Sequence, residues 1–459
     1  MDTSKLAEYL LIWMAALAVM AVVRNRRSTP GAGLTVAYLL NLSLIHWTGA
    51  AIYVLPAFQN QNSHLTELGF EQSLYGIAAF AFGALVFTPL LANRGLLRQS
   101  TAGHQPDQRL PMAYIAAGVI FFMLSSTFLS RLPSAMAIIS TGAQLVVAGL
   151  CLCCWKARRE GDFRKLTGWL MVACLMPFAT VITQGFLGYG VVALLIVLIF
   201  VSSFVRSPLK IALVGVPLIY FGLSVFVSYM RDRGEIRASV WGGDSFSERI
   251  DKLAETVATF EWFDPANQDH LQRVDARLNQ NFLVGAALAR LAETDGYGRG
   301  ETLWDALLAL IPRAIWPDKP ITAGSGNLVA QYTGIEFAAG TSVGVGQVLE
   351  FYANFGTIGV VIGFMIMGVI ITTLDWQAGE SLARSDLHGF VLWFLPGIGL
   401  LQVGGQLVEL TASAAASLVV ALMVNRYLDR LQRKQTNKAA LPSPSSSETS
   451  ERTSQFVKC

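Results

Sequence analysis

Residues Leu6–Val23 read LAEYLLIWMAALAVMAVV, and the next four are Arg24, Asn25, Arg26 and Arg27. An apolar run of this length approaches the roughly 20 residues that cross a hydrocarbon core as a helix. A secretory signal peptide carries its positive charge before the apolar run. Here it follows, so the stretch reads as a retained first membrane helix. Basic residues collect on the cytoplasmic side, which places the N-terminus outside and Arg24–Arg27 inside.

Working outward, the whole chain has the same character. Of 459 residues 53% are apolar and 14% charged, against roughly 25% charged in soluble domains. Apolar runs recur at 6–23, 34–57, 74–92, 112–130, 134–155, 166–183, 189–205, 210–229, 353–374, 388–404 and 407–425. The expected fold is an all-α polytopic membrane protein with about eleven transmembrane helices. In this arrangement 21 lysines and arginines are cytoplasmic, Lys5 and Arg131 lie in short outside segments, and the remaining 11 share one long loop. The expected layout is helices 1–8 over residues 1–229, a large periplasmic loop over 230–350, helices 9–11 over 351–427, and a disordered cytoplasmic tail over 428–459. The N-terminus is then periplasmic and the C-terminus cytoplasmic. A net charge of +3, gathered at helix ends, excludes a nucleic-acid partner. Cys151, Cys153, Cys154 and Cys174 sit in apolar helices and Cys459 is terminal, which supports neither a disulfide frame nor a zinc pair.

The loop is the one soluble segment large enough to fold. Ser245-Phe-Ser-Glu248 reads as a capping box, followed by Phe246, Ile250, Leu253, Val257 and Phe260 at helical spacing. A second stripe predicts one helix over Gln268–Leu291, whose opposite face aligns His270, Arg273, Arg277 and Asn281. That row is either a solvated face or an anion site, since arginines one turn apart repel unless an anion or carboxylate lies between them. Glu301–Ile311 is a short apolar helix, an interfacial anchor. Three prolines in Ile311-Pro-Arg313-Ala-Ile-Trp-Pro-Asp-Lys319-Pro320 end it and hold Arg313 and Lys319 on a stiff segment. Thr341-Ser-Val-Gly-Val-Gly346 then leads to Glu350, Tyr352 and Asn354 at the outer edge of the ninth helix, where a carboxylate must be paired or used. His46 and Glu409 are likewise costly in lipid and require a partner or a cavity. Gln402-Val-Gly-Gly-Gln406 reads as an acceptor groove or a tight turn, and Arg231 and Arg233 as a phosphate contact or as interface anchors with Asp232 as partner.

The order IPRAIWPDKP, a Gly/Ser-rich stretch, then TSVGVGQVLEFYANFG resembles the oligosaccharide repeat-unit polymerases of the O-antigen polymerase (Wzy-type) family. These are related to the O-antigen ligases, whose scaffold is described as metal-independent and GT-C-like. The resemblance implies a membrane glycosyltransferase at the periplasmic face of a bacterial inner membrane. It would move glycan from undecaprenyl pyrophosphate onto an incoming repeat unit, alongside a flippase and a chain-length regulator. It also implies that Arg313, Lys319 and Glu350 occupy motif positions.

Breaking a sugar–pyrophosphate bond requires neutralising the leaving group and positioning the acceptor hydroxyl. Arg313 and Arg277, with Arg273 or Lys319, are the expected pyrophosphate ligands. Glu350 is the expected base, or else a helix-capping carboxylate; His270 is the alternative base. Asn281, Tyr352 and Glu409 are candidates for the acceptor groove. The loop offers neither an Asp-x-Asp nor a His/Cys cluster, so neither metal nor cofactor is invoked. Ligation to lipid A core and transport of a lipid-linked sugar are the competing readings.

Overall fold

A computed structural model of the chain describes residues 3–27, 31–58, 60–93, 109–125, 133–205, 208–311, 316, 318–320, 324–337 and 343–440, and every regular element among them is helical. The first half comprises α1 (Thr3–Arg27), α2 (Leu34–Ile45), α3 (Trp47–Ala51), α4 (Ser63–Phe82), α5 (Thr88–Asn93), α6 (Leu110–Leu124), α7 (Pro133–Ala143), α8 (Leu145–Arg159), α9 (Phe163–Cys174), α10 (Met176–Gln184) and α11 (Leu187–Ser202). Then come α12 (Pro208–Gly242), α13 (Phe246–Ala258), α14 (Gln268–Leu278), α15 (Asn281–Thr294), α16 (Glu301–Ala309), α17 (Ser325–Thr333), α18 (Gln347–Ala383), α19 (Leu387–Gly399) and α20 (Leu407–Ala440).

Among the described residues, eight stretches are long and apolar enough to cross a membrane: Lys5–Arg26, Leu34–Val54, Ser63–Leu91, Ala135–Arg159, Phe163–Gln184, Leu213–Gly242, Gln347–Ala383 and Leu407–Lys434. The other three expected spans are the shorter apolar helices α6, α11 and α19. Large apolar side chains face outward, with Leu213, Val214 and Val216 of α12 more than 60% exposed, as lipid rather than water requires. The protein is a multi-pass membrane protein. Helix α20 runs on to Ala440, so the first part of the expected disordered tail is helical; residues 441–459 lie outside the described residues.

Contacts at the helix ends establish which ends share a face. Arg24 at the end of α1 pairs with Asp375 of α18 at 3.1 Å. Arg159 at the end of α8 bonds Ser385 after α18. His388 at the start of α19 meets Tyr114 of α6 and Asp429 of α20. Lys5 and Glu67, at the opposite ends of their helices, pair at 3.2 Å.

Close packing is organised by α4. Its Gly69 and Gly76, and Gly83 directly after its last residue, recur every seven residues and receive, respectively, the Asn281 carbonyl, the Phe364 ring and the Met365 carbonyl. Small residues at such spacing let backbones approach where lipid offers no hydrophobic drive between helices. Gly285 returns the contact from α15 onto the Leu65 carbonyl. Within the large loop, α15 is wedged against α4, with Asn281, Val284, Gly285 and Ala287 buried.

Candidate functional site

The expected single helix over Gln268–Leu291 is two helices broken at Asn279–Gln280. The Gln280 N–H donates to the Ile45 carbonyl at 3.1 Å, and the Asn279 amide donates to Thr66 and Asp275. The Gln280 N–H, which would have continued the helix, goes to a neighbour instead. The break removes Asn281 from the row of His270, Arg273 and Arg277. Asn281 faces the bundle, fully buried, where its Oδ1 meets His46 Nδ1 at 2.7 Å and its amide donates to the His46 carbonyl at 2.7 Å. Ser73 completes this network. His46 thus has the partner its burial demanded.

The rest of the row is organised by a carboxylate that sequence reasoning missed. After α13, whose capping box forms as expected, residues Glu261–Phe263 run along α12. Ser228 and Ser224 accept from the Glu261 and Phe263 N–H groups at 3.0 Å, and Tyr220 donates to the Phe263 carbonyl at 3.1 Å. These three side chains sit four residues apart on one face of α12, and that spacing was the available signal. Glu261 so placed accepts from Arg231 at 2.6 Å, His270 Nε2 at 3.1 Å and Arg273 at 3.4 Å. Arg231 first, then His270 and Arg273, hold its carboxyl below the ordinary range. The Asp264 N–H donates to His270 Nδ1 at 3.1 Å, so that ring is the neutral Nε2–H tautomer. With both nitrogens engaged, His270 has no lone pair for a substrate proton. Asp232 also bonds Arg231, so Arg231 is a structural cation. Beside this hub an open cleft of about 360 Å³ is lined by Trp262, Asp264, Asn267 and Asp269 as well as Glu261, His270 and Arg273.

Further along both helices the charge balance reverses. Arg233 and Arg237 of α12 lie close enough to repel each other, and Arg233 is also repelled by Arg277 of α14. Loss of hydration, then the like charge of Arg237, holds the Arg277 guanidinium below its ordinary range. Among the described residues none of the three has a carboxylate within 4.0 Å. Tyr229, whose hydroxyl donates to the Gly185 carbonyl at 2.8 Å, stands beside Arg233. Arg237 lies over the Phe186 and Trp241 rings, 4.3 and 5.4 Å from their centroids. Arg233, read from sequence as a phosphate contact or an interface anchor, and Arg237 join Arg277 in a cationic group.

Glu350 lies in a different place. Helix α18 breaks at Phe355 and Gly356 (φ 61°), and the short segment before the break folds back so that Phe351 packs on Gly359 and Gly363. Every residue from Gln347 to Asn354 is buried. At ~1.5 Å per residue, Gly363 is about 10 Å below the break, so Glu350 is inside the bundle rather than at its outer edge. Its Oε2 accepts from the Leu407 N–H at 2.7 Å, capping α20, while its Oε1 is buried with no hydrogen-bond partner. Asn354 ties the segment to Thr302 of α16 and to the Gly300 N–H. The 402–406 stretch is a turn docked on this segment, the Gly404 carbonyl accepting from Gly346 at 3.1 Å. Gln280, three residues after Arg277, donates to the same carbonyl, so the α14–α15 break joins the arginine cluster to the Glu350 segment.

The remaining expected site residues separate. Lys319 donates to the Leu308 and Ile311 carbonyls at 3.2 Å, capping α16. Tyr352 is buried, its ring 6.2 Å from that of Tyr297. Glu409 is exposed in the first turn of α20. Arg313 lies outside the described residues. Among the described residues no three His, Cys, Asp or Glu side chains converge as metal ligands.

Neither a curated protein nor a solved structure matches the chain. A family model described as a domain of unknown function, DUF8712, matches residues 52–431, most of the chain, and the protein belongs to that family.

Proposed function

We propose that this protein is a membrane glycosyltransferase that joins undecaprenyl-pyrophosphate-linked oligosaccharide repeat units at the periplasmic face of the inner membrane. The observation that carries the reading is the acid-free cluster of Arg233, Arg237 and Arg277. Three guanidinium groups whose like charges act on one another, with no carboxylate within 4.0 Å among the described residues, form a ready site for a multiply charged anion, and planar forks match phosphate oxygens bidentately. On this reading the shorter helices α6, α11 and α19 are crossings too, giving eleven, with the N-terminus outside. The cluster neutralises the departing pyrophosphate. Glu350 Oε1, an acceptor with no donor, takes the proton of the acceptor hydroxyl. Arg273 holds the site together through Glu261. A second reading, transport of the lipid-linked unit, is favoured by the broken helix α18, since transporters place sites on discontinuous helices.

The test is purified protein in vesicles with lipid-linked repeat units. Polymer should form, and Glu350→Gln, which keeps an acceptor for the Leu407 N–H, should slow it about 10²–10⁴-fold. Unchanged polymerisation by Glu350→Gln removes the base assignment. Passage of units across the bilayer without polymer establishes transport, and transfer only to an added lipid A core establishes a ligase.

A further inference from the structure

We infer that the cleft beside Glu261 is a sugar-ring site, with Trp262 as its stacking platform and Asp264, Asn267, Asp269 and Arg273 as its hydroxyl contacts. The inference rests on the lipid-linked-glycan reading and names which part of that ligand this cleft takes.

Four observations carry it. The cleft, about 360 Å³, lies within the range of small-ligand pockets, roughly 300–1,000 Å³. Its one large apolar face is the Trp262 indole, 58% exposed and backed by the Tyr220 ring, stacked at 5.8 Å and 8°. A large aromatic surface left open in a polar cleft suits the C–H face of a pyranose. The backbone that presents it is already rigid, through Ser224, Ser228 and Tyr220, so binding need not order a loop. Around the indole, carboxylates and an amide offer hydrogen-bond acceptors for adjacent hydroxyls, and Arg273 offers a donor.

Position completes the argument. Arg273 of the cleft and Arg277 of the acid-free cluster are one turn apart on α14, about 6 Å. A glycosyl pyrophosphate carries its first sugar one bond from the phosphate, so a phosphate on Arg277 and a sugar on Trp262 must be neighbouring sites, as these are. A bare inorganic anion would leave the indole unused, and the three acidic side chains would repel it.

The test uses the full-length protein in nanodiscs, with glucose, galactose, mannose and N-acetylglucosamine as probes in saturation-transfer NMR and inorganic pyrophosphate in calorimetry. At least one sugar should show saturation of its ring protons. Trp262→Ala should weaken its binding about tenfold, as loss of an aromatic contact implies, and Trp262→Phe should restore most of it. Pyrophosphate binding by both variants, equal to that of the unmodified protein, shows that they are folded. Lack of saturation for all four sugars, or saturation undiminished in Trp262→Ala, overturns the inference. If sugar binding depends on Trp262 but pyrophosphate does not bind, the cleft stands and the pyrophosphate reading falls.

Discussion

Helices α12 and α14 carry two sets of arginines with opposite electrostatic situations. Arg231 and Arg273 share the Glu261 carboxylate, with Asp232 and the neutral His270 completing the shell. Arg233, Arg237 and Arg277 crowd each other with no carboxylate within 4.0 Å among the described residues. The same residue type therefore does two jobs. A satisfied guanidinium pins one segment to another, as Arg231 pins the Thr259–Glu261 stretch to α12. A cluster that meets a carbonyl, a hydroxyl and two rings but no acid keeps its mutual repulsion, and an entering anion relieves it, which is how a binding site differs from a structural ion pair.

The comparison breaks most readily at Arg277. Arg277→Ala should weaken inorganic pyrophosphate binding about 100-fold, the equivalent of one or two charge-assisted hydrogen bonds. The thermal midpoint should stay level or rise, because a repelled charge has been removed. An equal loss of affinity in Arg273→Ala would erase the distinction. Next in size is Gly285→Ala. A Cβ there would lie 1.8 Å from the Leu65 carbonyl, so α15 must move from α4, at about 1–3 kcal/mol. Chemical denaturation reads this cost, and pyrophosphate affinity should fall with it, since α15 positions the end of α14. An unshifted denaturation curve would mean that the two clusters do not depend on that seat.

The smallest effect sharpens the contrast. Glu261→Gln should cost about 1 kcal/mol, because a carboxylate 37% exposed is partly screened by water. It should also strengthen pyrophosphate binding, since Arg273 is then released from its acid, while Arg231 stays on Asp232. The sign with pH follows from linkage. The Glu261 carboxyl is held below its ordinary 4.5, so its stabilisation is present above that value and lost as pH falls through the lower folded one. Acid titration of the thermal midpoint should show this limb in the native protein, and it should be missing in Glu261→Gln. A limb that persists in the variant assigns the acid sensitivity to another carboxylate.

Much of the fold was legible in advance because crossing a membrane imposes a length and a polarity that a linear pattern displays. The Leu6–Val23 run, the alternation of basic flanks and the Ser245–Glu248 capping box are local, and they appear where read. His46 required a partner by the same reasoning. Arg277 was legible as a site residue only in part: its spacing from Arg273 suggested an anion between them, whereas the anion present is Glu261, which serves Arg273 alone. Arg237 could not be placed, because Arg233 lies beside it in sequence but Arg277 belongs to another helix.

What the sequence by itself determined is the solvent of this chain and the all-helical class that follows from its apolar segments. These follow from side-chain transfer energies, which each residue carries wherever it sits. Tertiary structure decided which cation meets an acid and which does not, the break at Asn279–Gln280 that sends Asn281 to His46, and the burial of Glu350 against α20. Each of these is a competition for a hydrogen-bond donor or a charge between segments far apart in the chain. Which partner wins is set by the glycine-spaced approach of α15 to α4 and by the fold-back of α18 at Gly356, neither of which a local pattern contains.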